Sequence, residues 1–470
     1  MHYAFAFILL AALCTVFAFK RHPIYALYFY LASIFVYPPS RWWGYMLPDL
    51  RWSLLSAAIA TLSVLFHRGK LNPKPPVMMN APAILLCMYA AWMWIQTPWA
   101  LDQSQHIEGS VQYVKYLIAF WFIYRMIDSK ARVADLLLGL TAGCALLGVY
   151  AQFSDRSGGR LDGVGGPGMD DSNTLAMYLA TGLISCMGLV LSQRGWRRWL
   201  SAATLPVILN GFVLANSRGS FLGVAAGVLV LALCKAKAHR RLFWALMLVA
   251  AVGVTFVVDS AFMDRMATIG DVTDQDNEQA DASARSRLVI VEAQMRMAAD
   301  YPMGVGFRGT IVLSPRYLDS RWLTKLPGTD ESVGRSSHNT FMTTLVEQGI
   351  PGALMFLALV TWIVVSIFKL RRPSRYGADP ELATMGAALC GGLVVVIVAG
   401  TATDYFMAEV QFWLYAGLVS TFQLAQKKLP PAVSSVRTAA SDPRGRSVAP
   451  IAPRGVRREL RSNIDRAPFL

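Results

Sequence analysis

Two kinds of side chain, at widely spaced positions, carry the chemistry this sequence suggests. Arg218 stands in LANSRGSFLG at the edge of an apolar run, where a charge is costly unless it is paired or functional. Arg285 and Arg287 sit near the start of a predicted helix, whose unsatisfied N–H groups and dipole already favour anions. His338, followed by Asn339 in GRSSHNTFMTTLVEQGIPG, stands directly before a second predicted helix. Guanidiniums suit two-pronged recognition of phosphate oxygens, and a neutral imidazole accepts a hydroxyl proton near neutral pH. The implied substrate is a phosphate ester or diphosphate. Each group also has a plainer reading. Arg218 can snorkel to an interface or pair with an acid such as Asp404, Arg285 and Arg287 can be surface charges, and His338 can be a helix cap.

The elements that must position these groups are read from composition. Of 470 residues, 55% are apolar and 16% charged, with a mean hydropathy of +0.41. Soluble domains carry about a quarter charged residues, and here the apolar surplus recurs in blocks of about twenty residues, the length of a bilayer span. The pattern predicts an all-α polytopic membrane protein with about thirteen transmembrane helices and one large loop containing short helices. All six cysteines lie in apolar blocks without a CxxC pair or a histidine at metal spacing, so they read as packing residues, and no metal or cofactor site is expected. The net charge of +15 does not point to nucleic acid, because its basic residues sit in short loops and the tail. Six alternate short loops hold 19 Lys and Arg, and the loops between them hold chiefly Arg41, Arg51, Arg156 and Arg160. The positive-inside rule makes the rich side cytoplasmic, with the first segment a membrane helix whose N-terminus faces outward.

The chain then divides into N-terminal membrane helices (1–152), helices carrying the SRG motif (153–260), an outward loop (261–350), C-terminal membrane helices (351–426) and a basic, disordered tail (427–470) held near anionic lipid. Within the loop, 270–283 reads as acidic surface. Ser283 caps a helix with Leu288, Val291, Met295 and Ala298 on one face, and Gly304-Val-Gly306 turns the chain after Tyr301-Pro302. A short helix follows from Asn339 to Gln348, with Ser336 or Ser337 as its cap and Gly349-Ile-Pro351 as its stop. GVGGPG reads as a flexible outer loop capped by Asp171, Ser172 or Asn173, and Asp170-Asp171 lacks a third carboxylate for a metal. A transporter, the alternative of another class, would carry ionisable groups near the midplane; Lys115 and Glu409 are the only obvious ones within apolar blocks, whereas the notable charges lie at the outer boundary.

SRGSFLG (217–223), RLVIVEAQMRMAADYPMGVGF (287–307), SHNTFMTTLVEQGIPGALMF (337–356) and DSNTLAMYLA (171–180) together resemble the superfamily of O-antigen ligases and O-antigen polymerases. YPPSRWWGYMLPDLRWS (37–53) is similar to O-glycosylation ligases associated with exosortase systems. The resemblance implies a bacterial inner-membrane glycosyltransferase with a periplasmic site. It implies metal-independent, inverting transfer of a glycan from undecaprenyl diphosphate to a hydroxyl of lipid A core, protein or polysaccharide, or glycan polymerisation. The implied partners are that donor, the acceptor and membrane lipids. Carried over by position, Arg218 and Arg287 grip the diphosphate and His338 activates or orients the acceptor, with Arg285, Ser217 and Asn339 contacting substrate. The family's tryptophan four residues after the loop arginine is Val291 here, and Arg285 can stand in register for Arg287.

Overall fold

The computed structural model describes residues 2–155, 161–258, 263, 278–325, 332–372 and 379–427, without the side chains of 254, 257, 278–287, 325, 332 and 427. The tail from 428 and most of the acidic stretch 270–283 fall outside them. The helices are α1 (His2–Lys20), α2 (Ile24–Phe35), α3 (Trp52–Phe66), α4 (Ala81–Gln96), α5 (Gln103–Met126), α6 (Lys130–Gln152), α7 (Ser172–Ser192) and α8 (Trp196–Ala215). They continue with α9 (Arg218–Cys234), α10 (Arg240–Val257), α11 (Glu278–Asp300), α12 (Gly309–Tyr317), α13 (Thr340–Arg371), α14 (Pro380–Ala399) and α15 (Val410–Lys427). A two-residue antiparallel pair, β1 (Thr324–Lys325) and β2 (Ser332–Val333), sets Thr324 opposite Val333.

The all-helical membrane architecture stands, but the count of about thirteen spans does not. Among the described residues six helices are long and apolar enough to cross a bilayer: α1, α6, α7, α8, α13 and α14. A seventh exists if the pair Arg218–Cys234 and Lys237–Gly253, bent by 118°, is one span. The miscounted windows have visible causes. Helices α2, α3 and α4 run only 12, 15 and 16 residues, short of the roughly 20 that span about 30 Å of hydrocarbon. Helix α5 is long, but Gln, His, Glu and Lys interrupt it.

Helix α7 is the buried centre, enclosed throughout its span, and α14 is nearly so. Close approach is made possible by small residues, since apolar surface gains little from leaving lipid and packing must carry helix association. Gly219, Gly223 and Gly227 form a stripe at every fourth position of α9; a Cβ on Gly227 would stand 2.9 Å from the Gly391 carbonyl of α14. The same holds for Gly188, where a Cβ would come within 2.4 Å of Ala388.

The loops gather at two ends. At the cation-rich end Asp135 is buried between Arg132 (2.7 Å) and Arg197 (2.6 Å), Lys130 reaches Glu381 (2.5 Å), and Asn72 donates its backbone N–H to Asp128 (3.1 Å). At the opposite end Arg41 donates to the carbonyls of Val36 (2.7 Å) and Val164 (2.9 Å) and lies 3.8 Å over the Tyr150 ring. That arginine corrects the reading of GVGGPG as flexible: Leu161, Val164 and Met169 are buried, and Gly163 N–H donates to Asp170 O (2.6 Å). Asp171 is the cap of α7, accepting from Asn173 and Thr174 N–H (2.9 and 3.1 Å).

Helix packing at the glycine stripe gives a stability test. Gly227→Leu drives a branched side chain into the α14 backbone, and overpacking of this kind costs about 1–3 kcal/mol or more. Thermal unfolding of the detergent-purified protein should show a lower midpoint for Gly227→Leu, whereas Gly253→Leu, at a position open on all sides, should leave it unchanged.

Candidate functional site

Helix α11 begins at Glu278, ahead of the expected Ser283 cap, and ends at Asp300 before Tyr301-Pro302. Its buried face is not the expected one. Leu288 and Met295 are exposed (69% and 51%), while Ile290, Ala293 and Met297 pack against Val305, Leu313 and Val346. The helix carries two apolar stripes at the same spacing, and spacing alone does not say which one docks.

The turn after α11 is bound by a break in α13. Gly349, at φ +66°, interrupts that helix, and Ile350 N–H donates to Pro302 O (2.8 Å) rather than to Val346. Pro351, four residues after Glu347, has no N–H to give. The Val346 and Glu347 carbonyls thus lack their helical donors, and they accept from Val305 N–H (3.2 Å) and Gly306 N–H (2.9 Å). Helices α4 and α5 close the other side. Gln96 Nε2 donates to Met303 O (2.9 Å), Trp92 Nε1 to Gln348 O (2.7 Å), and Leu101 N–H to Val305 O (3.0 Å). Phe307 N–H donates to His106 Nδ1 (2.8 Å), so the proton of this buried imidazole sits on Nε2 and is donated to Met93 O (2.7 Å). Burial lowers the His106 pKa and keeps it neutral.

His338 stands just before α13. The cap of α13 is Asn339 rather than Ser336 or Ser337: its Oδ1 accepts from Phe341 and Met342 N–H (2.9 and 3.2 Å), and its Nδ2 donates to Thr401 O (3.2 Å). Thr340 ties the same corner to the segment after α14. Its N–H donates to Gly400 O (2.8 Å), its hydroxyl donates to Thr403 O (3.0 Å), and the hydroxyl accepts from Tyr405 N–H (2.8 Å).

A cavity of ≈ 530 Å³ opens at this corner. His338 lines it with Asp404, Glu347, Arg308, Asn173 and Asp171. Ser217, the residue before Arg218, donates to Asn173 Oδ1 (3.0 Å), and Tyr405 OH donates to Asn173 O (2.8 Å). The N-terminus of α9, which Arg218 opens, is therefore fastened to a wall residue of the cavity that holds His338. Arg285 and Arg287 lie seven and nine residues after Glu278, past the free N–H groups that the expected helix start would have placed beside them, with their side chains outside the described residues. Among the described residues no three His, Cys, Asp or Glu side chains gather as a metal-ligand set.

Asn173, Glu347, Arg308 and Asp404 are wall residues that the motif reading did not select. Asp404 was legible in part, as an acid that could pair with Arg218. Arg308, held at φ +61° with its guanidinium donating to Gln105 Oε1 (3.0 Å), follows the glycine turn without any periodic signal.

A polytopic helical membrane protein with a polar cavity at one end is the class this arrangement defines. Residues 203–357, about a third of the chain, match the O-antigen ligase family. The matched stretch contains Arg218, Arg287, His338 and the Gly304–Gly349 contact. No curated protein matches the chain.

Asp404 opens to the cavity on one side and is enclosed by protein elsewhere, and burial pushes its carboxyl up to about 6. A carboxyl that holds its proton more tightly when folded stabilises the fold at low pH. That contribution is lost as pH rises from the ordinary value near 4 through about 6, and the loss is complete above it. Asp404→Asn, which keeps an acceptor for Phe406 N–H (3.0 Å), should match the wild type in thermal midpoint near pH 4. It should exceed the wild type by up to about 3 kcal/mol above pH 7. A difference independent of pH would show that Asp404 is not desolvated.

Proposed function

We propose that the protein transfers a glycan from undecaprenyl diphosphate to an acceptor hydroxyl of lipid A core, protein or polysaccharide, at the cavity that His338 lines. The observation carrying this reading is the fastening of the Ser217–Arg218 helix start to Asn173 in the wall of that cavity, within a chain whose 203–357 segment matches O-antigen ligases.

In this reading the acceptor oxygen attacks the anomeric carbon of the donor sugar and its proton passes to the His338 imidazole. The bond from that carbon to the diphosphate oxygen breaks on the opposite face, inverting the configuration. Charge developing on the leaving diphosphate is met by Arg218 and Arg287, or by Arg285 in place of the latter, and guanidiniums preorganised for that charge lower the barrier. Arg308 adds a further cation at the cavity wall. Ser217, bonded to Asn173, and Asn339, the cap of α13, contact substrate beside them in this reading. The excess of Lys and Arg in the loops of the opposite end supports a bacterial inner-membrane protein with this cavity facing the periplasm.

The test is reconstitution of the full chain in liposomes with a defined polyprenyl-diphosphate glycan and candidate acceptors, with mass analysis of the product. His338→Ala and Arg218→Ala should each lower transfer by about 100-fold or more while keeping the wild-type thermal midpoint. Arg218→Lys should restore little, because an ammonium cannot reproduce the two-pronged fork. Normal transfer in either alanine variant would overturn these roles.

A further inference from the structure

A second cavity, ≈ 730 Å³, lies between α2, α3 and α5 and is separate in its lining from the His338 cavity. The segment after α14 serves both. Asp404, Tyr405, Met407 and Ala408 face the first cavity, and Glu409 faces the second. The second cavity is amphipathic by construction. Leu50, Leu54, Leu62 and Ile118 line it and are exposed, 43–56% for these four, so its mouth is apolar surface of the kind that meets lipid. Arg51 and Lys115, both exposed, line it together with Asp49 and Glu409.

None of Arg51, Lys115 and Glu409 forms an ion pair among the described residues. Lys115 donates only weakly, to Gln112 Oε1 at 3.3 Å, and Glu409 accepts from the Tyr30 hydroxyl. Two cations and a carboxyl that face one apolar-mouthed cavity without pairing are costly at a membrane boundary unless a ligand completes them. The cations call for an anion, phosphate being the common one in a membrane. The carboxyl calls for a hydrogen-bond donor.

We propose that this cavity binds a membrane lipid whose head group joins a phosphate to a hydroxyl, the phosphate at Arg51 and Lys115, the hydroxyl donating to Glu409, and the chains leaving past Leu54 and Leu62. Its volume falls within the roughly 300–1,000 Å³ of small-molecule sites. The site does not depend on the transfer reaction: the charges it uses lie apart from Arg218 and His338.

The probe is phosphatidylglycerol, which has both groups, against diacylglycerol, which lacks the phosphate, and phosphatidylmethanol, which lacks the hydroxyl. Binding to the full chain in a non-ionic detergent is read by native mass spectrometry. The wild type should prefer phosphatidylglycerol to diacylglycerol by about tenfold or more, as charge-assisted hydrogen bonds allow. Arg51→Gln with Lys115→Gln, both exposed positions, should remove that preference at an unchanged thermal midpoint. Glu409→Met, which has no oxygen acceptor, should remove the preference for phosphatidylglycerol over phosphatidylmethanol; if that variant is destabilised, the double glutamine variant decides alone. Equal binding of all three lipids by the wild type, or a phosphate preference that survives the double substitution, would overturn the site and leave a cavity filled by bulk lipid. Neither result bears on glycan transfer, which the His338 and Arg218 variants test separately.

Discussion

Two glycine backbones in contact hold the loop to the membrane helices. Gly304 and Gly349 both adopt positive φ, at +79° and +66°, and a Cβ on Gly304 would stand 2.5 Å from Gly349 N. Any side chain at either position meets backbone that cannot yield, on top of the strain of the left-handed region. Because the chains approach this closely, the carbonyls exposed by the break in α13 find donors on the loop rather than in water. A broken helix at a membrane boundary is tolerable only where its freed polar groups are satisfied by protein or water. Here Pro351 guarantees that one of them stays free for the loop to take.

The second tie is of the same kind. The N-terminus of α13 needs acceptors and the C-terminus of α14 needs donors, and Thr340 N–H meets Gly400 O. Thr340 then uses its hydroxyl in both directions, to Thr403 O and from Tyr405 N–H. His338 and Asp404 are thereby carried on one hydrogen-bonded corner, although 66 positions separate them in the chain. Asn173 extends the corner to α9 by accepting from Ser217 and Tyr405. Unlike side chains that lie near each other only by packing, these groups are placed by backbone geometry that motions of exposed side chains do not disturb.

Much of this was legible in the residues. The helical membrane class follows from composition, and the turn at Gly304-Val-Gly306 and the break at Gly349-Ile-Pro351 follow from local punctuation. The span number was not, because an apolar window does not distinguish a helix that crosses lipid from one such as α2, which is short and mostly enclosed by its neighbours. The docking face of α11 was not, because Leu288 and Met295 repeat at the same spacing as Ile290 and Met297. The cavity walls were hidden for a different reason. Asn173, Glu347 and Asp404 come from α7, α13 and the segment after α14, and only tertiary hydrogen bonding brings them together.

The two ends treat charge in opposite ways, and this separates support from chemistry. At the cation-rich end Asp135 is enclosed by two arginines and Lys130 by two carboxyls; Arg197–Asp135 joins α8 to α6 and Lys130–Glu381 joins α6 to α14, while Arg132 pairs with Asp135 within α6. Removing both arginines would leave Asp135 buried and uncompensated, the costly outcome for such a group. At the other end Asp404 and Glu409 face cavities instead, with one oxygen of Asp404 held by the Phe406 backbone N–H. A fold can keep such groups incompletely paired only if its stability comes from elsewhere. The close-packed α7, α9 and α14, with glycines at their crossings, are where this one obtains it.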